Sequence, residues 1–188
     1  MSAERNRNRS EDRRDPADRA GTGDGASRAM HAVPREHFLP PELRDRAGVD
    51  SPLPIGVGQT NSQPSTVLDM LRLLDVREGQ HVLDVGAGSG WTTALLAHLV
   101  GPSGSVVGVE RQVSLLAPAR AALAGTVGRE DGRAEIREAL PGVLGAPADG
   151  PFDRILVSAA ARSSHWFVDR RAPGTPDRGT VLPCTGVR

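Results

Sequence analysis

Apolar residues in the central part of the chain follow a helical spacing in some segments and form short continuous runs in others. After Pro64, which suits the first turn of a helix, they recur close to every third or fourth position, at Val67, Leu68, Leu71, Leu74 and Val76. We predict that this helix ends at Glu78-Gly79. A second helix is predicted over residues 91–100, and a third over about 115–123, which Pro118 interrupts unless it lies in the first turn.

Short apolar runs between these helices predict strands. They cover the sequences HVLDVG, SVVGVE and FDRILVSAA, together with a further strand around residues 134–138. Strands that alternate with helices in this order predict an α/β fold with a mostly parallel sheet, right-handed crossovers and helices on both faces. The sequence TVLPC near the C-terminus is too short to be more than an edge strand.

The two ends of the chain depart from this pattern. Residues 1–29 are nearly all charged, small or Gly and lack apolar periodicity, so we expect a disordered tail that precedes one domain over 30–188. Residues 51–67 are predicted to form a Pro/Gly-rich loop that is dense in hydroxyl and amide side chains. After Ala161 the apolar pattern decays, and we expect residues 162–188 to be an irregular, shortened end.

Composition narrows the classes of function. At 188 residues the chain has room for one domain, and its 23 basic and 23 acidic residues balance, so no overall charge favours nucleic acid or an anionic membrane. The chain has one cysteine, histidines scattered singly, and no apolar run of the length of a signal peptide or a membrane span. We therefore expect a monomeric cytoplasmic protein without a metal site.

A glycine-rich turn between a predicted strand and a predicted helix carries the first candidate chemistry. In the run DVGAGSG the glycines fall at i, i+2 and i+4, not in the G-x-G-x-x-G spacing used for pyrophosphate. The acid at its start would repel a pyrophosphate but can pair with a ligand ammonium, directly or through water. The acid that ends the next strand can accept hydrogen bonds from both hydroxyls of a ribose. These features predict a site for S-adenosylmethionine, which carries an ammonium and no phosphate, formed by Asp84, Gly86, Ala87, Gly88, Gly90 and Glu110.

The same residues allow two other interpretations. A glycine turn with two incidental acids needs no ligand at all. An NAD site would use the same loop and the same acid after the second strand, but the glycine spacing disfavours it.

Four segments, in order along the chain, resemble those of the protein-L-isoaspartate O-methyltransferase family. They are AMHAVPREHFLP, SPLPIGVGQTNSQP, HVLDVGAGSGW and PFDRILVSAAA, and together they cover about residues 29–161. The second segment is the most specific of the four. The resemblance implies a Rossmann-like, S-adenosylmethionine-dependent methyltransferase fold. It also implies methyl transfer to the carboxylate of L-isoaspartyl residues in damaged proteins or peptides, which begins their repair.

The resemblance assigns roles within the loop that follows LPIG. Ser62 takes the position of the family's active-site serine, and the hydroxyls of Thr60 and Ser62 can donate hydrogen bonds to the substrate carboxylate. The same loop supplies further substrate-side residues, namely Gly58, Gln59, Asn61 and Gln63. The alternative is an ordinary turn in which Ser62 caps the helix that begins at Pro64.

The chain departs from the family's pattern at several positions. Leu140-Pro141-Gly142 stand where the family has Gly-Asp-Gly, so Glu138 is the candidate for a contact with adenine. Asn61 replaces a residue that is typically apolar, which is expected to alter how the loop packs. We expect the C-terminal strands to be incomplete, which a frameshift near Arg162, a degenerate homologue or a natural specialisation would explain. The alternative functions are therefore a homologue with little or no activity and a methyltransferase for another carboxylate, such as a modified peptide.

Overall fold

The computed structural model describes residues 24–127, 133–159 and 180–183, and its centre is a five-stranded sheet with the order β5-β4-β3-β6-β7. The strands of the described residues, including a separate hairpin, are β1 (Leu53–Gly56), β2 (Gln59–Asn61), β3 (His81–Val85), β4 (Ser105–Glu110), β5 (Ala134–Glu138), β6 (Arg154–Val157) and β7 (Thr180–Pro183). Every pairing within the sheet is parallel, which confirms the predicted α/β fold. The last strand lies at an edge of this sheet, as its short sequence predicted.

The α-helices of the described residues are α1 (Gly25–Ala32), α2 (Pro64–Leu74), α3 (Trp91–Val100) and α4 (Val113–Val127). The helix α2 buries the apolar face that its spacing predicted, but it ends at Leu74 and not at Glu78-Gly79, because Asp75 takes a left-handed conformation with φ 49°. The helix α4 continues through Pro118, since one proline removes a single donor while four residues of α4 remain buried, Leu115, Leu116, Ala119 and Leu123. Within the described residues, no helix is long and apolar enough to cross a membrane.

The handedness of the crossovers decides which face of the sheet each connection covers. The helices α3 and α4 lead from β3 to β4 and on to β5, and both pack on one face, where they share the main apolar cluster with α1 and α2. The chain then returns past β3 to β6, so the intervening segment covers the opposite face with Ala139, Ala146 and Phe152. The sequence predicted helices on both faces of the sheet. Among the described residues, α-helices cover one face. The strand order reverses at β3, which is where ligands bind in open α/β sheets.

The described chain is helical from Gly25, five residues before the predicted start of order at Met30, which corrects that boundary. The Asp24 carboxylate accepts a hydrogen bond from the N–H of Ala26 at 3.2 Å and so caps the first turn. Ala26 and Ala29 are buried in the main apolar cluster. Their helical spacing is not evident in the sequence, because both residues are small and charged residues surround them. Residues 1–23 of the predicted tail lie outside the described residues.

The segment 51–67, predicted to be a loop, contains a two-stranded antiparallel hairpin of β1 and β2, which corrects the prediction. Its turn is Val57-Gly58, and both residues have positive φ, 45° and 70°, as a type I′ turn requires. A β-branched valine is an unusual residue at such a φ, so the sequence of the turn does not indicate a hairpin. The strand after the turn brings residues 59–61 over the carboxyl ends of the sheet strands.

Candidate active site

A cavity of about 340 Å³ opens at the carboxyl ends of β3, β4, β5 and β6, beneath the hairpin. Of the described residues that line it, Glu110 and Arg111 are charged. Its lining comes from five segments of the chain, 59–62, 85–92, 109–112, 139–145 and 158–159. The cavity thus has one wall of sheet-end loops and a second wall formed by the hairpin.

The glycine loop after β3 has the backbone conformation that its glycines predict. Gly86, Gly88 and Gly90 have φ of 89°, 55° and 89°, a region that residues with a side chain avoid. The N–H groups of Gly86 and Ala87 both donate to the carbonyl of Val109, at 2.9 and 3.1 Å, which fixes the loop against β4. The loop therefore meets the cavity largely as bare backbone, beside the N-terminus of α3.

Glu110, at the end of β4, lines the cavity although it is only 7% exposed. One carboxylate oxygen accepts a hydrogen bond from the N–H of Gly88 at 2.8 Å, and the other from the N–H of Gln112 at 2.7 Å. These bonds hold the carboxylate in place and leave each oxygen able to accept another hydrogen bond. Glu110 is therefore a fixed pair of acceptors in the wall of the cavity.

Asp84 is fully buried behind the glycine loop and does not line the cavity. Its Oδ2 accepts hydrogen bonds from the hydroxyls of Thr92 and Thr93, at 2.8 and 2.7 Å, in the first turn of α3. Its Oδ1 has no hydrogen-bond partner among the described residues. Burial raises the pKa of Asp84 to about 6, the threonine hydroxyls oppose the shift, and Glu110 adds a smaller rise.

The hairpin wall is held by a buried arginine for which no sequence pattern predicted a role. Arg35 is 5% exposed and lies 5.4 Å from the ring centroid of Trp91. Its guanidinium donates hydrogen bonds to six oxygens, the carbonyls of Ala47, Val49, Ser51, Asn61 and Ser62 and the Oδ1 of Asn61. Arg35 therefore holds together the segment before the hairpin and the end of β2.

Comparison with known proteins decides the family. The family model described as protein-L-isoaspartate(D-aspartate) O-methyltransferase matches residues 16–166, well over half of the chain. The chain belongs to this family. The resemblance predicted from the four sequence segments is thereby confirmed.

Individual relatives agree with the family. The chain is 50% identical to a protein-L-isoaspartate O-methyltransferase of Methanopyrus kandleri over 135 residues, 71% of this chain and 58% of the relative. It is 48% identical to one of Anaeromyxobacter dehalogenans over 133 residues, 71% of this chain and 61% of the relative. The chain thus spans a little over half the length of the curated relatives it matches.

Solved structures agree with the fold. One named protein-L-isoaspartate O-methyltransferase superposes with a TM-score of 0.60 at 28% identity, covering 74% of this chain and 44% of that one. A Plasmodium falciparum structure with the same family name, in complex with S-adenosyl-L-homocysteine, gives a TM-score of 0.63 at 24% identity. The match covers 74% of this chain and 67% of that chain, and it shows that the two share a fold.

Most of the site residues predicted for this isoaspartate methyltransferase family member lie together at the cavity. Those that line it are Gln59, Thr60, Asn61, Ser62, Gly86, Ala87, Gly88 and Glu110. Asp84 and Gly90 do not line the cavity. The Asp84 carboxylate is therefore not placed to pair directly with a ligand there. Glu138 is exposed and does not line the cavity, where Ala139 forms the wall, so the geometry gives no support to the predicted contact of Glu138 with adenine. Gly58 lies in the hairpin turn.

The helix α2 begins without help from the Ser62 hydroxyl. Its N-cap is Gln63, which makes no side-chain cap bond. The Asp50 carboxylate instead accepts hydrogen bonds from the N–H of Ser65 at 2.9 Å and from Nε2 of Gln63 at 3.0 Å. The alternative in which Ser62 caps α2 is therefore wrong. Ser62 lines the cavity and Gln63 does not.

Among the cavity residues for which the sequence predicted no binding role are Trp91, Ser89 and Ser158. Trp91 lines the cavity and donates from Nε1 to the carbonyl of Val33 at 3.1 Å. Ser89 lines the cavity on the glycine loop. Ser158 follows β6, and its buried hydroxyl oxygen has no partner among the described residues. Serines are too common for either position to be singled out without the fold.

The buried carboxyl of Asp84 predicts a pH dependence of stability. Its pKa is about 6 in the folded chain and 3.8 in an ordinary setting, so the folded state binds more protons between these values. The free energy of unfolding should therefore fall as the pH rises from about 4 to about 6, by roughly 2 to 3 kcal/mol, and stay lower above that range. Denaturant titrations across this range would measure the slope. Asp84→Asn should flatten it, and an unchanged slope in the variant would assign the effect to other groups.

Proposed function

We propose that this protein uses S-adenosylmethionine to methylate the carboxylate of L-isoaspartyl residues in proteins or peptides. The observation that carries the proposal is a single cavity with two unlike walls, the glycine loop with Glu110 and the hairpin with Thr60 and Ser62. The first wall suits a nucleoside with an amino-acid tail, and the second suits a carboxylate. Membership of the family supports the same pairing. The 23 basic and 23 acidic residues balance, so no overall charge favours nucleic acid or a membrane surface, and we propose that the protein acts as a monomer on proteins or peptides.

The residues that line the cavity suit the three parts of S-adenosylmethionine, its amino-acid end, ribose and base, one after another along the carboxyl ends of the strands. Glu110 supplies the two acceptors for ribose hydroxyls. The glycine loop and the N-terminus of α3 suit the amino-acid end. The loop leaves room for it, since a Cβ at Gly88 would have Cδ1 of Ile55 at 3.5 Å and the carbonyl oxygen of Gly86 at 3.9 Å as its nearest neighbours. The base then belongs on the other side of Glu110, above β5. The wall there is apolar, as a flat aromatic ring requires, and consists of Ala139, Val143 and Leu144.

The proposed reaction needs little chemistry from the protein. When bound, S-adenosylmethionine supplies a methyl group on a cationic sulfur, which a carboxylate oxygen can accept without proton transfer. Because a carboxylate is ionised at neutral pH, neither a general base nor a metal is required. The site must align one oxygen of the acceptor and exclude water. Thr60 and Ser62 can donate hydrogen bonds to the acceptor carboxylate and so hold it in place.

Binding and transfer would be measured together to test the proposal. The purified chain is titrated with S-adenosylmethionine by calorimetry, and is then given an isoaspartyl peptide beside its aspartyl twin. We expect binding, followed by methylation of the isoaspartyl peptide alone. Absence of binding would contradict both the cofactor and the activity, leaving a homologue that keeps only the fold. Binding without transfer would contradict the substrate and point to another carboxylate, such as a modified peptide.

Ser62→Ala tests the role of the hairpin wall. It is expected to lower kcat/KM for the isoaspartyl peptide by about 10- to 100-fold, because it removes a donor to the carboxylate, while the affinity for S-adenosylmethionine stays within about twofold. Ser65→Ala is the matched control, since that serine is exposed on α2 and does not line the cavity. Equal losses of turnover and of cofactor affinity in Ser62→Ala would show that the residue only supports the structure.

A further inference from the structure

A chain of two hydrogen bonds, the first buried and the second partly buried, joins the two walls of the cavity. Arg35 donates from Nε to Oδ1 of Asn61 at 2.7 Å, and Asn61 donates from Nδ2 to Oγ of Ser89 at 2.9 Å. Asn61 is 3% exposed, and both Asn61 and Ser89 line the cavity. The bond between Asn61 and Ser89, here called the wall bridge, thus runs from the end of β2 to the glycine loop.

The chemistry of the side chains fixes the direction of each bond. A guanidinium can only donate, so the carbonyl oxygen of Asn61 faces Arg35 and the amide nitrogen faces Ser89. An apolar side chain at position 61 could contact neither group through a hydrogen bond, and Nε of Arg35 would lose its acceptor. The polar residue that departs from the family pattern is therefore accommodated by two specific partners.

The amide oxygen and the amide nitrogen of Asn61 make contacts with different consequences. Arg35 has five acceptors besides Oδ1 of Asn61, so one end of the asparagine adds to an arginine that is already well held. The other end makes the contact with Ser89, which belongs to a different wall and a different segment of the chain. Arg35 also lies over the ring of Trp91, but the bond between Asn61 and Ser89 is a directional hydrogen bond between the two walls, and such a bond can set the distance between the ligands that each wall holds.

We propose that Asn61 is a positioning residue that, through Ser89, holds the methyl-acceptor wall in register with the methyl-donor wall. This inference rests on the proposed function. Transfer requires the acceptor oxygen to stand in line with the donor methyl, and a misplacement of about 1 Å can cost about 100-fold in rate. Loss of the wall bridge should therefore reduce turnover much more than it reduces the affinity for either ligand.

The wall bridge can be cut from either end. Ser89→Ala removes the acceptor and leaves Arg35 with all its partners, whereas Asn61→Ala removes the donor. Each change is expected to lower kcat about tenfold, with the Kd for S-adenosylhomocysteine within about threefold of the original. The double variant should be no slower than the slower single variant, because both changes remove the same contact. Losses that multiply, or an unchanged kcat in Ser89→Ala, would overturn the inference.

Hydrogen exchange of the ligand-free protein gives a readout that does not depend on catalysis. In both single variants the backbone amides of residues 59–62 should exchange about tenfold faster, while Ser27→Ala on α1, which does not line the cavity, should leave them unchanged. Unchanged exchange in Ser89→Ala would overturn the inference whether or not the protein methylates a peptide. If exchange responds but the unaltered protein transfers no methyl group, the proposed function fails and the link between the walls is supported on its own.

Discussion

Replacement of Arg35 by methionine is expected to lower the free energy of unfolding by about 4 kcal/mol. The guanidinium is nearly excluded from solvent and donates to six oxygens, none of which belongs to a carboxylate. Burial lowers the pKa of Arg35, and the charge of Asp50 opposes that shift, so the arginine stays ionised. The charge is therefore stabilised by carbonyl dipoles that converge on it from residues 47–62.

Methionine can replace the aliphatic stem of the arginine but cannot donate a hydrogen bond. Each buried carbonyl left without a donor costs about 1 to 3 kcal/mol, and water is expected to reach some of them, so the total stays well below the sum. The free energy of unfolding of Arg35→Lys should lie between those of the unaltered protein and Arg35→Met, because an ammonium is a compact donor that cannot span the six oxygens. Chemical denaturation followed by circular dichroism would measure all three proteins.

Arg44→Met is the matched control for this prediction. Arg44 lies in the same region of the chain but is exposed, and among the described residues its side chain makes one long hydrogen bond, 3.4 Å to the carbonyl of Leu39. Its replacement should change the free energy of unfolding by less than about 0.5 kcal/mol. A loss below about 1 kcal/mol in Arg35→Met would mean that water replaces the guanidinium, and that Arg35 does not hold the hairpin wall.

Gly86→Ala is expected to weaken the binding of S-adenosylhomocysteine by more than about 100-fold. A Cβ at this position would lie 2.7 Å from Cβ of Ala159 and 2.9 Å from its backbone nitrogen. Backbone atoms cannot rotate away, so the glycine loop or the end of β6 must shift, and both line the cavity. A φ of 89° adds further strain for any residue with a side chain. The added methyl group therefore distorts the cavity wall without entering the cavity.

Two other glycines separate this effect from a general loss of stability. A Cβ at Gly88 would make only ordinary van der Waals contacts, with Cδ1 of Ile55 at 3.5 Å and the carbonyl oxygen of Gly86 at 3.9 Å, so Gly88→Ala should weaken binding by no more than about tenfold. Gly125 lies within α4, and no described residue comes within 4 Å of its added Cβ, so alanine there should stabilise the protein by about 0.5 to 1 kcal/mol. Calorimetric titration of the three variants with S-adenosylhomocysteine would measure the order of their affinities. An affinity of Gly86→Ala within tenfold of the unaltered protein would contradict the prediction.

Local sequence was sufficient for the sheet-end wall of the cavity. Residues 81–85 and 105–110 form strands as predicted, because a short apolar run has few other ways to bury itself. The glycines at 86, 88 and 90 adopt positive φ, which is a property of the turn itself and can be predicted from a few neighbouring residues. Glu110 lies at the cavity because one helix and one strand separate it from the loop, a spacing that the sequence contains.

The hairpin wall could not be predicted in the same way. Its turn places Val57 at a φ of 45°, which tertiary contacts must stabilise against the residue's own preference. Arg35 lies in the first of the four segments that resemble the family, but its hydrogen-bond acceptors lie 12 to 27 residues further along the chain. The start of α1 was missed for a related reason, since Ala26 and Ala29 become an apolar face only when the core packs on them.

By itself, the sequence determined the alternation of strands and helices, the glycine loop, the acidic residue after β4 and membership of the family. Each of these depends on residues that are close together in the chain or recur at a fixed period. Only the tertiary structure decided that Glu110 reaches the cavity while Asp84 stays buried behind the loop, and that Arg35 and Asn61 connect the walls. The physical reason is that burial and hydrogen-bond partners are set by segments distant in sequence, which meet only when the chain folds.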